Sequence, residues 1–404
     1  MPQDRDLLGI DARPPFFPVA NALEIGLVAP EDRLGLPVRT WVRALEGMQK
    51  EALVINGATG RAWRLVSDEG PYLDGHDRAP CPLCTFITGL VASYMNEITA
   101  LAAAREIVVS DTKLTLDTFY SMEGSALRGT MTGGAAAPRL VAEIAADADD
   151  ETVRRLILDA VATSPATGLF KGVLDSRFNL SHNGEEISVG KVEALNVPLE
   201  PDPGQAFDLV EVADVATAEN LMVRRKPAAE VEGGVPGGAG SSLQESQSRR
   251  LHVRAVCTVR DDGVKEIVEN LFSPIGSEFG FLADEAPGFG GSGLAPDAST
   301  YVSAGLGFCF MTQFGRYARI TKRRLGEYRI VQDTHFTPGA AGGREVPAQA
   351  EAVETHVYLA TPEEEEFSRR TLDMGEQTCF LHATCRTDLG IDVEVVSMGD
   401  LSTG

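Results

Sequence analysis

The sequence predicts an α+β chain built from two similar halves, and three observations predict it. Two apolar helical stretches repeat one another. Gly89-Leu90-Val91-Ala92-Ser93-Tyr94-Met95 and Gly305-Leu306-Gly307-Phe308-Cys309-Phe310-Met311 hold Gly, Leu and Met in register at a shift of 216. Around each stretch, runs rich in strand-forming residues alternate with a second helical segment. Between the halves lies Glu232-Gly233-Gly234-Val235-Pro236-Gly237-Gly238-Ala239-Gly240-Ser241-Ser242, a composition that cannot pack and reads as a flexible linker.

Taken in order, residues 1–45 form a Pro- and Asp-rich arm that leads into a short helix at 38–45, where apolar residues fall at helical spacing. Residues 52–56 and 61–66 are strands flanking Gly57-Ala58-Thr59-Gly60, a hairpin signal. Residues 67–82 form a loop. A long helix is predicted at 84–106, with Phe86, Leu90, Tyr94, Ile98 and Leu101 stepping by three and four. Strands follow at 112–120, 126–131 and 140–144. A helix at 149–162 opens on acidic residues that suit a helix N-terminus. Strands at 186–189 and 192–197 and a helix at 212–221 complete the first half, 46–223. The linker spans 224–250.

The pattern then restarts over 251–404. Strands are expected at 251–259 and 265–271, and a Gly/Pro-rich loop at 273–298. A long helix at 299–325 carries Val302, Leu306, Phe310, Phe314, Tyr317 and Ile320 on one face. Strands at 328–336 and 352–360 precede a helix that starts at Thr361-Pro362-Glu363-Glu364 and reaches residue 384. A last strand is predicted at 391–396.

Composition bounds the function. The chain has 404 residues, 43% hydrophobic and 24% charged, with a net charge of −23. An acidic surface argues against nucleic acid and anionic membrane as partners. The start lacks a signal-peptide pattern and no apolar run reaches the length of a membrane span, so a cytoplasmic location is expected. Six cysteines in such a chain are packing residues, redox groups or ligands rather than a disulfide scaffold.

The repeat extends beyond one helix. Ala79-Pro80 and Ala295-Pro296 precede the two long helices, and Ser67-Asp68-Glu69-Gly70 loosely echoes Ser277-Glu278-Phe279-Gly280. Leu158-Asp159 followed by Thr163-Ser164 matches Leu372-Asp373 followed by Thr378-Cys379. One copy therefore has cysteines where the other has serines, at 309 against 93 and at 379 against 164.

The second half resembles the OsmC/Ohr family, the osmotically induced and organic-hydroperoxide-resistance proteins. The resemblance lies in Ser303-Ala304-Gly305-Leu306-Gly307-Phe308-Cys309-Phe310 inside a long helix. It continues in Cys379-Phe380-Leu381-His382-Ala383-Thr384, ahead of the final strand Gly390-Ile391-Asp392-Val393-Glu394-Val395. It covers roughly 50–200 and 251–398. It implies two OsmC-like halves forming an intramolecular pseudo-dimer, with central helices between wrapped sheets and sites at the interface. It also implies a cofactor-independent thiol peroxidase with Cys309 as peroxidatic and Cys379 as resolving residue, reduced by a dithiol partner. The family's glutamate before the helix would fall near Ser299; the nearest acid is Asp297, and Arg254 in the early strand stands for the family's arginine. The copy with Ser93 and Ser164 is then a scaffold, leaving one active centre per chain.

Phe310, Phe314, His382 and His335 are expected to line the pocket of a small hydrophobic substrate. His382 shares a helical face with Cys379 and suits a base in a different cysteine-dependent hydrolase, lyase or isomerase. A small-molecule-binding protein is a third possibility on the same scaffold. Cys81-Pro82-Leu83-Cys84 opens the first long helix and is either a second redox pair or a plain pair of loop cysteines. With His76 it offers too few ligands for a zinc site, and no metal is expected. The Gly-rich run 287–293 reads as a mobile loop bordering the pocket, and Cys257 and Cys385 have no evident partners.

Overall fold

The computed structural model describes residues 5–213, 220–228 and 247–398. A single turn, α1 (Leu7–Ile10), and an edge strand, β1 (Phe17–Pro18), lead into the meander β2 (Leu36–Ala44), β3 (Lys50–Asn56) and β4 (Arg61–Ser67). Next come the long helix α2 (Pro82–Ala104), the hairpin β5 (Val109–Gly124) and β6 (Thr132–Ala146), the helix α3 (Asp150–Thr163) and the strand β7 (Arg177–His182). Short β8 (Glu185–Ile187) and β9 (Glu193–Ala194) follow. The same order then recurs. After β10 (Met222–Lys226) come β11 (Gln247–Val259), β12 (Lys265–Ser273), β13 (Glu278–Ala283) and the long helix α4 (Ala298–Thr321). The hairpin partners β14 (Tyr328–Phe336) and β15 (Glu354–Leu359), the helices α5 (Glu365–Thr378) and α6 (Phe380–Cys385), and β16 (Asp392–Ser397) close the chain.

Neither half keeps a sheet to itself. One sheet runs β1-β4-β3-β2-β14-β15-β7-β8, with β9 beside β7; the other runs β10-β13-β12-β11-β5-β6-β16. In both, a three-stranded meander from one half joins a hairpin from the other, Val38 opposite Thr334 and Ala255 opposite Leu116. The strand that follows the second helical segment of each half then docks in parallel on the other half's hairpin, β7 on β15 and β16 on β6. This exchange covers the inner edges of both meanders, which would otherwise expose unpaired backbone groups.

The long helices α2 and α4 lie between the sheets and are buried along most of their length. They run antiparallel and touch at two glycines. A Cβ on Gly89 would stand 2.5 Å from the Ala298 carbonyl oxygen, and one on Gly305 would stand 2.7 Å from the backbone of Phe86. The repeated glycine is the point where the two helix backbones meet. A separate cluster, Phe17, Trp41, Leu53, Ile55, Phe207 and Tyr358, covers the outer face of the first sheet.

Several expectations need correction. Residues 38–45 are not a helix: Val38, Thr40 and Val42 alternate toward the helices while Trp41 faces the outer cluster, so β2 is a strand buried on both faces. Residues 126–131 are a turn, and β6 begins at Thr132. β7 was not predicted, and β13 falls in the stretch read as loop. Strand β10 and the first residues of β11 narrow the linker 224–250 at both ends; its residues 229–246 lie outside the described residues. So does most of the helix placed at 212–221, where Val212 makes a bridge to Val19. The helix expected at 361–384 starts at Glu365 and is broken at Cys379. The echo of Ser67-Asp68-Glu69-Gly70 is Asp284-Glu285, after the third strand of each meander, and not residues 277–280.

Candidate functional site

Cys309 and Cys379, 70 residues apart, are brought to an Sγ–Sγ distance of 3.4 Å as free thiols. Cys309 sits in the middle of α4. Cys379 closes α5 and opens α6, and its Sγ accepts a hydrogen bond from the His382 backbone N–H at 3.5 Å. The extended backbone of Cys379 breaks the helix there, with α5 packed on α4 and the thiol against Cys309. Ser93 and Ser164 are arranged in a comparable way: they are hydrogen-bonded at 2.7 Å, and Ser164 closes α3 as Cys379 closes α5.

A cavity of about 460 Å³, counting the space open to solvent at its mouth, lies beside Cys309. One face of α4 supplies Cys309, Thr312, Gln313 and Arg316, spaced by three, one and three so that they share a side of the helix. Leu83, Leu251, Leu271, Pro274 and Phe380 make an apolar wall. Cys379 is fully buried behind Cys309 and is not among the lining residues. Burial and the adjacent Cys309 push the Cys379 thiol well above its ordinary range, so it stays protonated.

Buried ionisable side chains lie near Cys309. Glu69, from the loop after β4 of the other half, accepts hydrogen bonds from Tyr72 Oη at 2.7 Å and Thr312 Oγ1 at 3.4 Å. Burial pushes its carboxyl up, opposed by Lys50. Burial also lowers the affinity of Arg316 and Lys50 for their protons, opposed in both by Glu69 and Cys309. Arg316 donates to Gln313 Oε1 at 3.1 Å, and Lys50 Nζ donates to the Met48 carbonyl. Arg249, at the start of β11, is pushed down to about 9 by burial and by Arg316. The cavity thus joins a thiol, a cluster of cations with one carboxyl, and an apolar wall.

The other residues singled out in the sequence lie elsewhere. Asp297 caps α4, accepting from the Thr300 N–H at 3.0 Å and from Asn56 and Ser299. Twelve residues of helix, about 18 Å, separate it from Cys309. Arg254 forms a two-pronged pair with Asp117 at 2.9 Å and lies over Phe272. His335 meets Arg33 at 2.6 Å on β14; its neighbour Thr334 faces α4 through Ser303, so His335 faces away. Phe310 packs on His382 at 4.5 Å and on Phe314 at 4.6 Å, in the core rather than along the cavity. Burial pushes His382 down to about 3, leaving a neutral ring, and neither ring nitrogen has a hydrogen-bond partner among the described residues. Cys81 and Cys84 are joined by a disulfide, and Cys81 lines the cavity. Burial pushes Cys257 and Cys385 up to about 12. Among the described residues no group of three or more His, Cys, Asp or Glu is placed to hold a metal ion.

Arg316, Glu69, Lys50 and Phe380 escaped the sequence reading. Arg316 carried a usable signal: it is the first charged residue of α4, seven residues after Cys309. Glu69 carried another, since Asp68-Glu69 and Asp284-Glu285 recur at the same shift of 216.

No family model matches the chain, and no curated protein matches it. Among solved structures, an OsmC-like hydroperoxide resistance protein from Jannaschia sp. CCS1 is similar over 32% of this chain and 81% of its own, at 18% identity and a TM-score of 0.19.

Proposed function

We propose that the chain is a thiol peroxidase that reduces organic hydroperoxides at Cys309, with Cys379 as the resolving thiol and the two serine-bearing positions as scaffold. The observation that carries this reading is the 3.4 Å approach of two thiols of which only Cys309 faces a cavity. The Cys309 thiolate attacks the terminal peroxide oxygen, breaking the O–O bond; the departing alkoxide takes a proton and leaves as the alcohol. The resulting sulfenic acid condenses with the Cys379 thiol, forming a disulfide and releasing water. Arg316, which lines the cavity with Cys309, is the group placed to receive a developing alkoxide. Leu83, Leu251 and Phe380 favour an apolar alkyl group. In this reading Glu69 and Arg316 take the places that Asp297 and Arg254 were expected to hold, and the halves form a duplicated pseudo-dimer, each completing the other's cavity. A small dithiol is the reductant class that would restore the thiols. The base of a cysteine hydrolase finds no support in His382, whose neutral ring bonds to neither thiol.

The test is mass spectrometry of the reduced protein after one equivalent of cumene hydroperoxide, with alkylation of the remaining thiols. A Cys309–Cys379 disulfide at early times, and loss of hydroperoxide consumption in Cys309→Ser, are expected. Thiols left untouched in the wild type would sink the reading.

A further inference from the structure

We propose that Cys81 and Cys84 are a dithiol relay that re-reduces the Cys309–Cys379 disulfide inside the protein. The proposal rests on the peroxidase reading and adds a second redox couple to the same cavity. Two cysteine pairs stand in different states: Cys81 is bonded to Cys84, while Cys309 and Cys379 are thiols. Cys81 and Cys309 both line the cavity, whereas Cys84 and Cys379 do not. Each couple therefore has one residue on the shared space and one off it.

The helix crossing explains why the pairs meet. Phe86 lies against Gly305 in an antiparallel pair. Four residues, about 6 Å, further toward the N-terminus of α2 lies Pro82, and four residues further along α4 lies Cys309. Cys81, the cap of α2, is thereby level with Cys309. At the other end of the crossing Gly89 lies against Ala298 and Val302, which brings the cap of α4 level with Ser93. There the cap is Asp297 and the facing pair is Ser93 and Ser164. Cysteines occupy the cap and both facing positions at one end of the helix pair, and none of these positions at the other. A cysteine kept only for packing gives no reason for that segregation.

Cys81 is the attacking group. Its Sγ accepts the Cys84 backbone N–H at 3.2 Å at the helix N-terminus, a setting that favours a thiolate once the pair is reduced. The Cys81 thiolate attacks Cys309 Sγ, breaking the Cys309–Cys379 bond, and Cys379 leaves and takes a proton. Cys84 then attacks Cys81 Sγ, closing the Cys81–Cys84 disulfide and releasing Cys309. Two electrons pass to the peroxidatic pair, and the two protons lost by Cys81 and Cys84 balance those gained by Cys379 and Cys309. An external dithiol reduces Cys81–Cys84 and is itself oxidised to a disulfide.

The experiment uses the full chain, reduced with dithiothreitol, desalted without oxygen, and given one equivalent of cumene hydroperoxide. Thiols are alkylated at successive times and the disulfide is located by mass spectrometry. The expected result is a disulfide that appears first at Cys309–Cys379 and then moves to Cys81–Cys84, with Cys309 and Cys379 again alkylated. In Cys309→Ser, Cys81 and Cys84 are expected to stay reduced over the same interval. In Cys84→Ser with Cys379→Ser, a Cys81–Cys309 disulfide is expected to accumulate. A wild-type disulfide that stays at Cys309–Cys379 overturns the relay and leaves the peroxidase reading intact. Equal oxidation of Cys81 and Cys84 in Cys309→Ser also overturns it. A wild type with all cysteines still reduced overturns both.

Discussion

In the proposed reaction, Arg316 is the residue on which the chemistry of Cys309 turns. Burying a guanidinium costs several kcal/mol unless negative charge compensates it. Here burial still lowers the affinity of Arg316 for its proton, with Glu69 opposing it. A cation buried beside a thiol is worth far more than one in water, because the local dielectric is low. Replacing Arg316 with Met is expected to slow oxidation of Cys309 by about 100-fold, the scale seen when one preorganised charge donor is removed from a reaction centre. Stopped-flow measurement with a hydroperoxide, on protein whose circular dichroism matches the wild type, reads this directly. Arg316→Lys keeps the charge without the planar fork and is expected to recover part of the rate. A rate within twofold of wild type in Arg316→Met would remove Arg316 from the mechanism. At this scale the sequence was half legible. The two thiols were marked by their helix contexts, but Glu69 comes from the opposite half and reaches the site only through the strand exchange, a long-range fact that no local pattern carries.

Elements are positioned by the crossing of α2 and α4, and its glycines explain why Gly recurs at 89 and 305. An added methyl at Gly305 meets Phe86 backbone at 2.7 Å, and backbone cannot step aside as a flexible side chain can. Gly305→Ala is therefore expected to cost about 1–3 kcal/mol, the range for overpacking a well-filled core. Gly390→Ala, where nothing lies within 4 Å of the added carbon, is expected to leave stability nearly unchanged. Urea denaturation of the two variants compares them, and equal midpoints would mean that the helices slide apart at no cost. The long helices, the β3–β4 hairpin and β14 were legible because period and turn chemistry agree there. β2 misled because Val38, Trp41 and Val42 also fit a helical period, while its true pattern is a strand covered on both faces. The break at Cys379 was hidden because α5 and α6 read as one continuous run of helix formers. Its cause is tertiary: the break places the thiol against Cys309.

At the scale of the whole molecule, the repeated element order gives two corresponding cavities with different contents. Ser93 and Ser164 meet at 2.7 Å where the thiols meet at 3.4 Å, and Glu285 stands beside them as Glu69 stands beside Cys309. Burial and Asp297 push Glu285 up to about 8, and Ala100 occupies the position in α2 that Arg316 has in α4. Geometry is shared between the cavities, but the cation is not. Replacing Ser93 and Ser164 together with Cys therefore separates the two requirements. Placed so close, the introduced thiols are expected to close an intramolecular disulfide on treatment with diamide, since the caps that aim them are already built. In a Cys309→Ser background the same variant is expected to consume hydroperoxide at less than about one hundredth of the wild-type rate, because no guanidinium lies on that face to favour a thiolate or receive the alkoxide. Disulfide mapping reads the first outcome and a hydroperoxide consumption assay reads the second. Restored consumption would show that paired thiols at a helix crossing suffice, and that the charge cluster around Cys309 serves stability rather than catalysis.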